Sequence, residues 1–224
     1  MNRYDLKDNT DEEVKALADT GNYTGIFEYA CRMYAQNRYE ESFRYFYKIK
    51  DYDNFWVWER LIEIADYHVK GIISDEEIVE LLFRRHSRGV SYFTYKLAHF
   101  YEIGRGVKKS IKKYIELLTM VAHDGSCSAT IELAENYEKG YGVKKSLRKA
   151  YQLYSYYLDE HCKMDFWCSY KTAVYMLHKW GGAEKNMNLV KYHLEYGARV
   201  YNVARNLYIE LFNEDPVPYK PRQQ

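Results

Sequence analysis

The chain has 224 residues, which is enough for one large domain or two small ones. Lys and Arg total 33 against 32 Asp and Glu, so the formal charge is +1. This balance excludes a polybasic nucleic-acid arm or an acidic tail as the organising feature. The three prolines all lie between Pro216 and Pro221, so the preceding 215 residues lack the commonest helix breaker. The sequence therefore predicts an all-helical body.

Residues 1–9 contain no apolar core of the kind that secretory signals have, and no window approaches the run of about 20 apolar residues that spans a bilayer. We therefore expect a cytoplasmic protein without a membrane span. The four cysteines form no CxxC pair and show no regular pairing, which favours reduced thiols over disulfides. They are Cys31, Cys127, Cys162 and Cys168.

Two capping boxes mark helix starts in the first part of the chain. Thr10 with Glu13 predicts a helix over residues 11–18, within an N-terminal capping segment of residues 1–20. Ser74 with Glu77 predicts the second helix of a degenerate repeat over residues 54–89. Between them, residues 21–53 show the small and large positions of a tetratricopeptide-like helix pair.

The strongest signal is an internal repeat. Residues 97–122 and 133–158, which lie 36 positions apart, share 12 identities in 26 positions. Each copy has an apolar helical stripe, a glycine pair, a serine at an N-cap position and a second apolar stripe. The glycine pairs are Gly104 with Gly106 and Gly140 with Gly142. We therefore predict two clear repeats, residues 90–125 and 126–164, each a helix, a glycine turn and a helix.

A third copy follows at a shift of 40, which places Gly182 opposite Gly142 and Trp180 in a glycine position. This shift predicts a repeat over residues 165–200, with four extra residues near 159–165. A final helix over residues 201–213 would close the array, and residues 214–224, with the prolines, would form a tail. About twelve helices are expected in all.

The repeats resemble the Sel1-like repeat family, relatives of the tetratricopeptide repeats. The matching residues are Leu97, Tyr101, Gly104, Gly106, Val107, Ala122 and Gly125 in one copy, and Leu133, Tyr137, Gly140, Gly142, Val143, Lys149 and Ala150 in the next. The resemblance implies an α/α superhelical solenoid of stacked antiparallel helix pairs, a single helical domain over residues 1–213. Ser110 and Ser146 depart from the family pattern, which usually has Asp or Asn there.

In stacks of this kind the first helix of each pair lines the concave surface, and the resemblance selects sixteen lining positions. These are Trp56, Glu59, Glu63, Asp66, Tyr92, Tyr95, His99, Glu102, Ser128, Ile131, Glu135, Glu138, Cys168, Lys171, Tyr175 and His178. Such a groove is aromatic and mostly acidic, so it favours a partner protein or peptide with a basic segment. Trp56, Tyr92, Tyr95 and Tyr175 are the expected anchors.

We therefore predict a non-catalytic adaptor or scaffold that needs no cofactor, and the oligomeric state stays open. One alternative is an immunity protein that blocks a toxin. A second, less favoured, is a hydrolase or metal enzyme built on His161, Cys162, Cys168, His178 and His193. Nucleic-acid binding is disfavoured, because the basic residues at the two glycine turns read as a solvated rim. They are Lys108, Lys109, Lys112, Lys113, Lys144, Lys145, Arg148 and Lys149.

Overall fold

The computed structural model describes residues 6–89, 91–159 and 165–216. These residues form twelve α-helices and no β-strand, which confirms the predicted all-α class. They fall into two compact units: unit 1 is residues 1–88 with 104–108, and unit 2 is residues 89–103 with 109–224. The single domain over residues 1–213 and its repeat boundaries stay predictions. No helix among the described residues is long and apolar enough to cross a membrane.

Unit 1 contains five α-helices and one π-helical turn, Ile64–His68. The helices are α1 (Asp11–Asp19), α2 (Tyr23–Ala35), α3 (Tyr39–Lys48), α4 (Phe55–Glu63) and α5 (Asp75–His86). Both predicted capping boxes are present, at Thr10 with Glu13 and at Ser74 with Glu77, where each glutamate also accepts from the backbone of its cap. The first turns of α1 and α5 each carry three acidic residues, which stabilises the positive helix end.

Unit 2 contains seven α-helices and a short 3₁₀ turn, Trp180–Gly182. The helices are α6 (Ser91–Ile103), α7 (Ile111–His123), α8 (Cys127–Lys139), α9 (Leu147–Asp159), α10 (Phe166–His178), α11 (Met187–Gly197) and α12 (Asn202–Phe212). Small buried residues such as Ala134, Ala150, Ala173 and Ala204 let these helices approach closely. Tyr154 fills the space between them and is fully buried.

The two clear repeats close their glycine turns with the same hydrogen bonds. The backbone N–H of Ser110 donates to the carbonyl of Tyr101 (2.8 Å), and that of Ser146 donates to the carbonyl of Tyr137 (2.9 Å). Each serine then caps the following helix, because its hydroxyl accepts from the backbone three residues on. The identical residues of the two copies thus close both turns with matching hydrogen bonds.

The glycine turn of the third repeat lies one residue earlier in the chain than the sequence predicted. A Cβ at Gly142 would lie 2.5 Å from the Ile111 side chain, so this turn sits on the start of the helix one repeat back. Gly181 has the same role, because its Cβ would lie 2.4 Å from the Leu147 carbonyl oxygen. Gly182, at φ +88°, has nothing within 4 Å of such a Cβ. The shift is therefore 39 up to Gly181 and 40 from the helix cap that follows it, where Asn186 occupies the position of Ser146.

The corrected register explains a lysine in a left-handed conformation. Gly140 ends α8 at φ 78°, and Lys179 ends α10 at φ 54°. An L-residue in this region costs roughly 1–2 kcal/mol, whereas glycine adopts it without that penalty. The third turn thus consists of Lys179, Trp180 and Gly181, at the positions of Gly140, Tyr141 and Gly142. The sequence alignment missed this because it paired Gly182 with Gly142.

Candidate functional site

The predicted groove residues on α4 comprise an exposed aromatic ring and two carboxylates. Trp56 is 56% exposed. Glu63 accepts a hydrogen bond from the Tyr34 hydroxyl (2.7 Å) and forms an ion pair with Arg60. Burial and this bond raise the pKa of Tyr34 to about 12. Glu59 is half-buried, and its Oε2 has no hydrogen-bond partner among the described residues.

Asp66, in the π-helical turn of unit 1, is held by a cation from the same unit. It forms an ion pair with Arg105, whose Nε also lies 2.7 Å from Asp75 Oδ1. A Cβ at Gly106 would lie 2.3 Å from the Asp75 carbonyl oxygen, so the glycine turn is seated at the start of α5. Two of the three predicted acids in unit 1 are therefore already paired with an arginine.

A cluster of polar side chains in unit 2 is centred on Glu132 of α8. Its carboxylate accepts hydrogen bonds from the hydroxyls of Tyr95 and Tyr114, both at 2.7 Å. His99 of α6 lies between two carboxylates, with Nε2 3.4 Å from Glu132 and Nδ1 3.0 Å from Glu102. The structure thus brings together three predicted site residues, Tyr95, His99 and Glu102, around one that was not predicted.

The contacts within the cluster favour the charged forms of its side chains. Burial alone would raise the pKa of Glu132, but hydrogen bonds from His99, Tyr95 and Tyr114 outweigh it and lower that pKa. The bond to Glu132, opposed by burial and helped by Glu102, raises the pKa of His99 above its ordinary 6.5. Both shifts favour the ionised forms, an imidazolium beside two carboxylates.

The same three side chains, His99, Glu102 and Glu132, are the group among the described residues whose ligand-type atoms could hold a metal. These atoms lie within 4.8 Å of one another. Both ring nitrogens of His99 already face carboxylates, and a histidine ligand needs a free lone pair. We therefore interpret the group as an ion-pair network.

The sequence analysis missed Glu132 because the sixteen lining positions that the family resemblance selects do not include residue 132. A helix nevertheless places residue 132 on the same face as the residues three and four positions on, Glu135 and Asn136. That spacing was the available signal. Asn136 is buried, and its Nδ2 donates to the Tyr114 hydroxyl (2.8 Å), so it joins the cluster.

A second polar cluster joins α8 to α10. The Lys171 ammonium lies 2.7 Å from one Glu138 oxygen, and the Tyr175 hydroxyl donates to the same oxygen at 2.8 Å. Tyr175 is fully buried, so the prediction of an exposed anchor at this position is wrong. The neighbouring Tyr154 hydroxyl is buried and has no hydrogen-bond partner in the described part of the chain.

The remaining predicted lining residues lie at varied depths. Tyr92 is 37% exposed, Ile131 is half-buried and Ser128 is exposed. His178 is exposed, and its ring stacks on Trp180 with centroids 4.7 Å apart. These residues do not form one continuous aromatic row.

The sequence predicted a mostly acidic lining, but several of its carboxylates are paired with a cationic side chain. Glu135 pairs with Lys139 at 3.0 Å, Glu138 with Lys171, and Glu102 with His99. The partner of Glu135 lies on the same helix, one turn later. The others come from α6 itself or from the next first helix, which sequence spacing does not reveal.

Two other sets of predicted residues remain, those of the metal hypothesis and the basic residues at the glycine turns. His161 and Cys162 of the metal hypothesis lie outside the described residues. Cys168 is buried in the core of unit 2, whereas His178 is exposed. The basic turn residues are all exposed, namely Lys108, Lys109, Lys112, Lys113, Lys144, Lys145, Arg148 and Lys149.

No protein-family model and no curated protein matches the chain. Solved structures do match. A protective antigen present in uropathogenic Escherichia coli strains, which displays an SLR fold, superposes with a TM-score of 0.72 at 15% identity. The match covers 90% of this chain but only 44% of the antigen, so this chain spans less than half of its length.

A Sel1 repeat protein from Oxalobacter formigenes is also similar, with a TM-score of 0.67 and 19% identity. The match covers 83% of this chain and 75% of that protein. At these identities the likeness concerns the fold. It agrees with the repeated helix, glycine turn and helix described above, so this chain has the Sel1-like repeat fold, an all-α repeat solenoid.

Proposed function

We propose that the chain is a non-catalytic protein-binding module that holds a basic segment of a partner polypeptide on the polar face of α6 and α8. The observation that carries this proposal is the concentration of carboxylates and tyrosines there, around Glu102, Glu132 and Glu135. Helical repeat proteins generally bind partners on extended surfaces of this kind. Carboxylates at such a surface attract basic partners and set their orientation.

The cluster is suited to binding more than to catalysis. His99 is the usual type of side chain for a general base, but its two nitrogens face Glu102 and Glu132. Glu132 is occupied by two tyrosine hydroxyls. A side chain that is held ionised by several partners orients a surface, whereas proton transfer needs a group that changes state easily.

The test compares two charge reversals. Glu135→Lys changes the proposed face. Glu116→Lys changes a somewhat more exposed acid on α7, 44% against 32%, that also pairs with a lysine on its own helix. A tagged chain captures partners from host lysate, mass spectrometry identifies them, and each purified partner is titrated against both variants.

We expect Glu135→Lys to weaken binding about tenfold, the effect of roughly 1.4 kcal/mol, and Glu116→Lys to leave it unchanged. Equal binding by both variants would contradict the proposal. So would cross-links that place an acidic partner segment on α8. The inhibitor role and the cytoplasmic location stay predictions from the sequence.

A further inference from the structure

A pocket of about 440 Å³ lies beside the Glu132 cluster, at the C-terminal ends of α6 and α8. Its walls include three carboxylates, two tyrosine rings and an amide, from Glu102, Glu132, Glu135, Tyr114, Tyr141 and Asn136. The last turn of a helix exposes carbonyl oxygens and carries partial negative charge, which favours a cation. Both the side chains and the backbone therefore make the pocket negative.

The cation already near this pocket is easily displaced. Lys139 pairs with Glu135 across one helical turn, and its side chain is 66% exposed. Exposed pairs of this spacing contribute only about 0.3–0.5 kcal/mol. A ligand cation can therefore replace Lys139 on the Glu135 carboxylate at small cost.

Asn136 provides an unused acceptor in the same wall. Its side chain is 5% exposed, and its Nδ2 donates to the Tyr114 hydroxyl. Its Oδ1 accepts no hydrogen bond from any residue that the structure describes, although the residue lines the pocket. Asn136 Oδ1 is not one of the fully buried atoms without a partner, so it is reachable from the pocket and can accept a hydrogen bond from a ligand N–H.

The chain shows elsewhere how such a niche is filled. In unit 1, Arg60 pairs with Glu63, and its Cζ lies 4.5 Å from the centroid of the Tyr34 ring. A guanidinium between a carboxylate and a tyrosine ring gains both an ion pair and a cation–π contact. Tyr141 is 38% exposed, and no cation from the described residues covers its ring.

We propose that this pocket binds the guanidinium group of an arginine in the partner segment. The planar group would donate to Glu135, Glu102 and Asn136 Oδ1 and lie on the Tyr141 ring, because five donors match a wall of acceptors. This inference rests on the proposed function and specifies the residue that the pocket selects.

The test uses N-acetyl-argininamide on the full chain, followed by ¹H–¹⁵N NMR. Comparison ligands are N-acetyl-lysinamide, which has a point charge, and N-acetyl-citrullinamide, which has the shape without the charge. We expect saturable shifts at the Asn136 side-chain amide and at the Gly140 and Tyr141 backbone amides. Argininamide should bind more tightly than lysinamide, and citrullinamide should not bind.

Glu135→Gln should weaken argininamide about tenfold, and Tyr141→Leu should weaken it severalfold, whereas Glu116→Gln should leave it unchanged. Saturable shifts elsewhere, or equal shifts with citrullinamide, would overturn the pocket. If argininamide fails while partner binding still depends on Glu135, the proposed function stands and the arginine pocket falls. If partner binding does not depend on Glu135 but argininamide binds as described, the pocket binds arginine and the proposed function is wrong.

Discussion

Replacing Gly181 with alanine tests the seating of the third glycine turn, and Gly182→Ala is its matched control. Both glycines have positive φ, 63° and 88°, so both variants place an L-residue in a strained conformation. Only at Gly181 would the new Cβ meet the backbone of the preceding repeat, 2.4 Å from the Leu147 carbonyl oxygen. The pair therefore separates backbone strain from helix contact.

The strain costs roughly 1–2 kcal/mol, and the reduced entropy of the unfolded chain offsets about 0.4–1 kcal/mol of it. Gly182→Ala should therefore lose about 1 kcal/mol of unfolding free energy. At Gly181 the Leu147 backbone must also shift, and overpacking of this kind costs typically 1–3 kcal/mol. We expect Gly181→Ala to lose about 3 kcal/mol.

Urea unfolding followed by circular dichroism measures both variants through the midpoint at unchanged slope. Thermal unfolding should show Gly181→Ala about 4–8 °C below Gly182→Ala, since about 2 kcal/mol separates them in a chain of this size. If the control is as destabilised as Gly181→Ala, the close contact with Leu147 does not exist and the corrected register is wrong.

Three further predictions concern stability. Lys179→Gly should raise the unfolding free energy by about 0.5–1 kcal/mol, because it removes the left-handed strain; an unchanged urea midpoint would contradict this. The raised pKa of His99 stabilises the fold below pH 6.5, and this contribution is lost as pH rises through the folded pKa; His99→Gln should remove that part of the pH profile of stability. Ser74→Ala should cost about 1 kcal/mol through the lost cap of α5, whereas Ser87→Ala, at the other end of that helix, should cost far less.

Much of the fold could be predicted from the sequence because its signals are local. A capping box such as Ser74 with Glu77 needs only the four residues it spans. The position of the third glycine turn was predicted one residue too late, because glycine was assumed at every left-handed position. Lys179 shows that packing can hold another residue there at some cost in free energy.

The candidate site was predicted in its residue types but not in its pairing. The lining positions implied by the family resemblance include Tyr95, His99 and Glu102, and in the structure these side chains lie together around Glu132. Whether a tyrosine is exposed or buried, as Tyr175 is, depends on the neighbouring helices. The cation that meets each carboxylate also depends on tertiary packing, which one sequence does not specify.

The two glycines that contact the preceding repeat also restrict where the chain can change in length. Gly142 and Gly181 each follow the end of a first helix by three residues, whereas the next helix begins at Leu147 in one repeat and Met187 in the other. The stretch before the glycine is thus fixed, and the stretch after it varies by one residue. Insertions, tags or new chain termini should therefore be tolerated between Gly182 and Asn186 and rejected between His178 and Gly181.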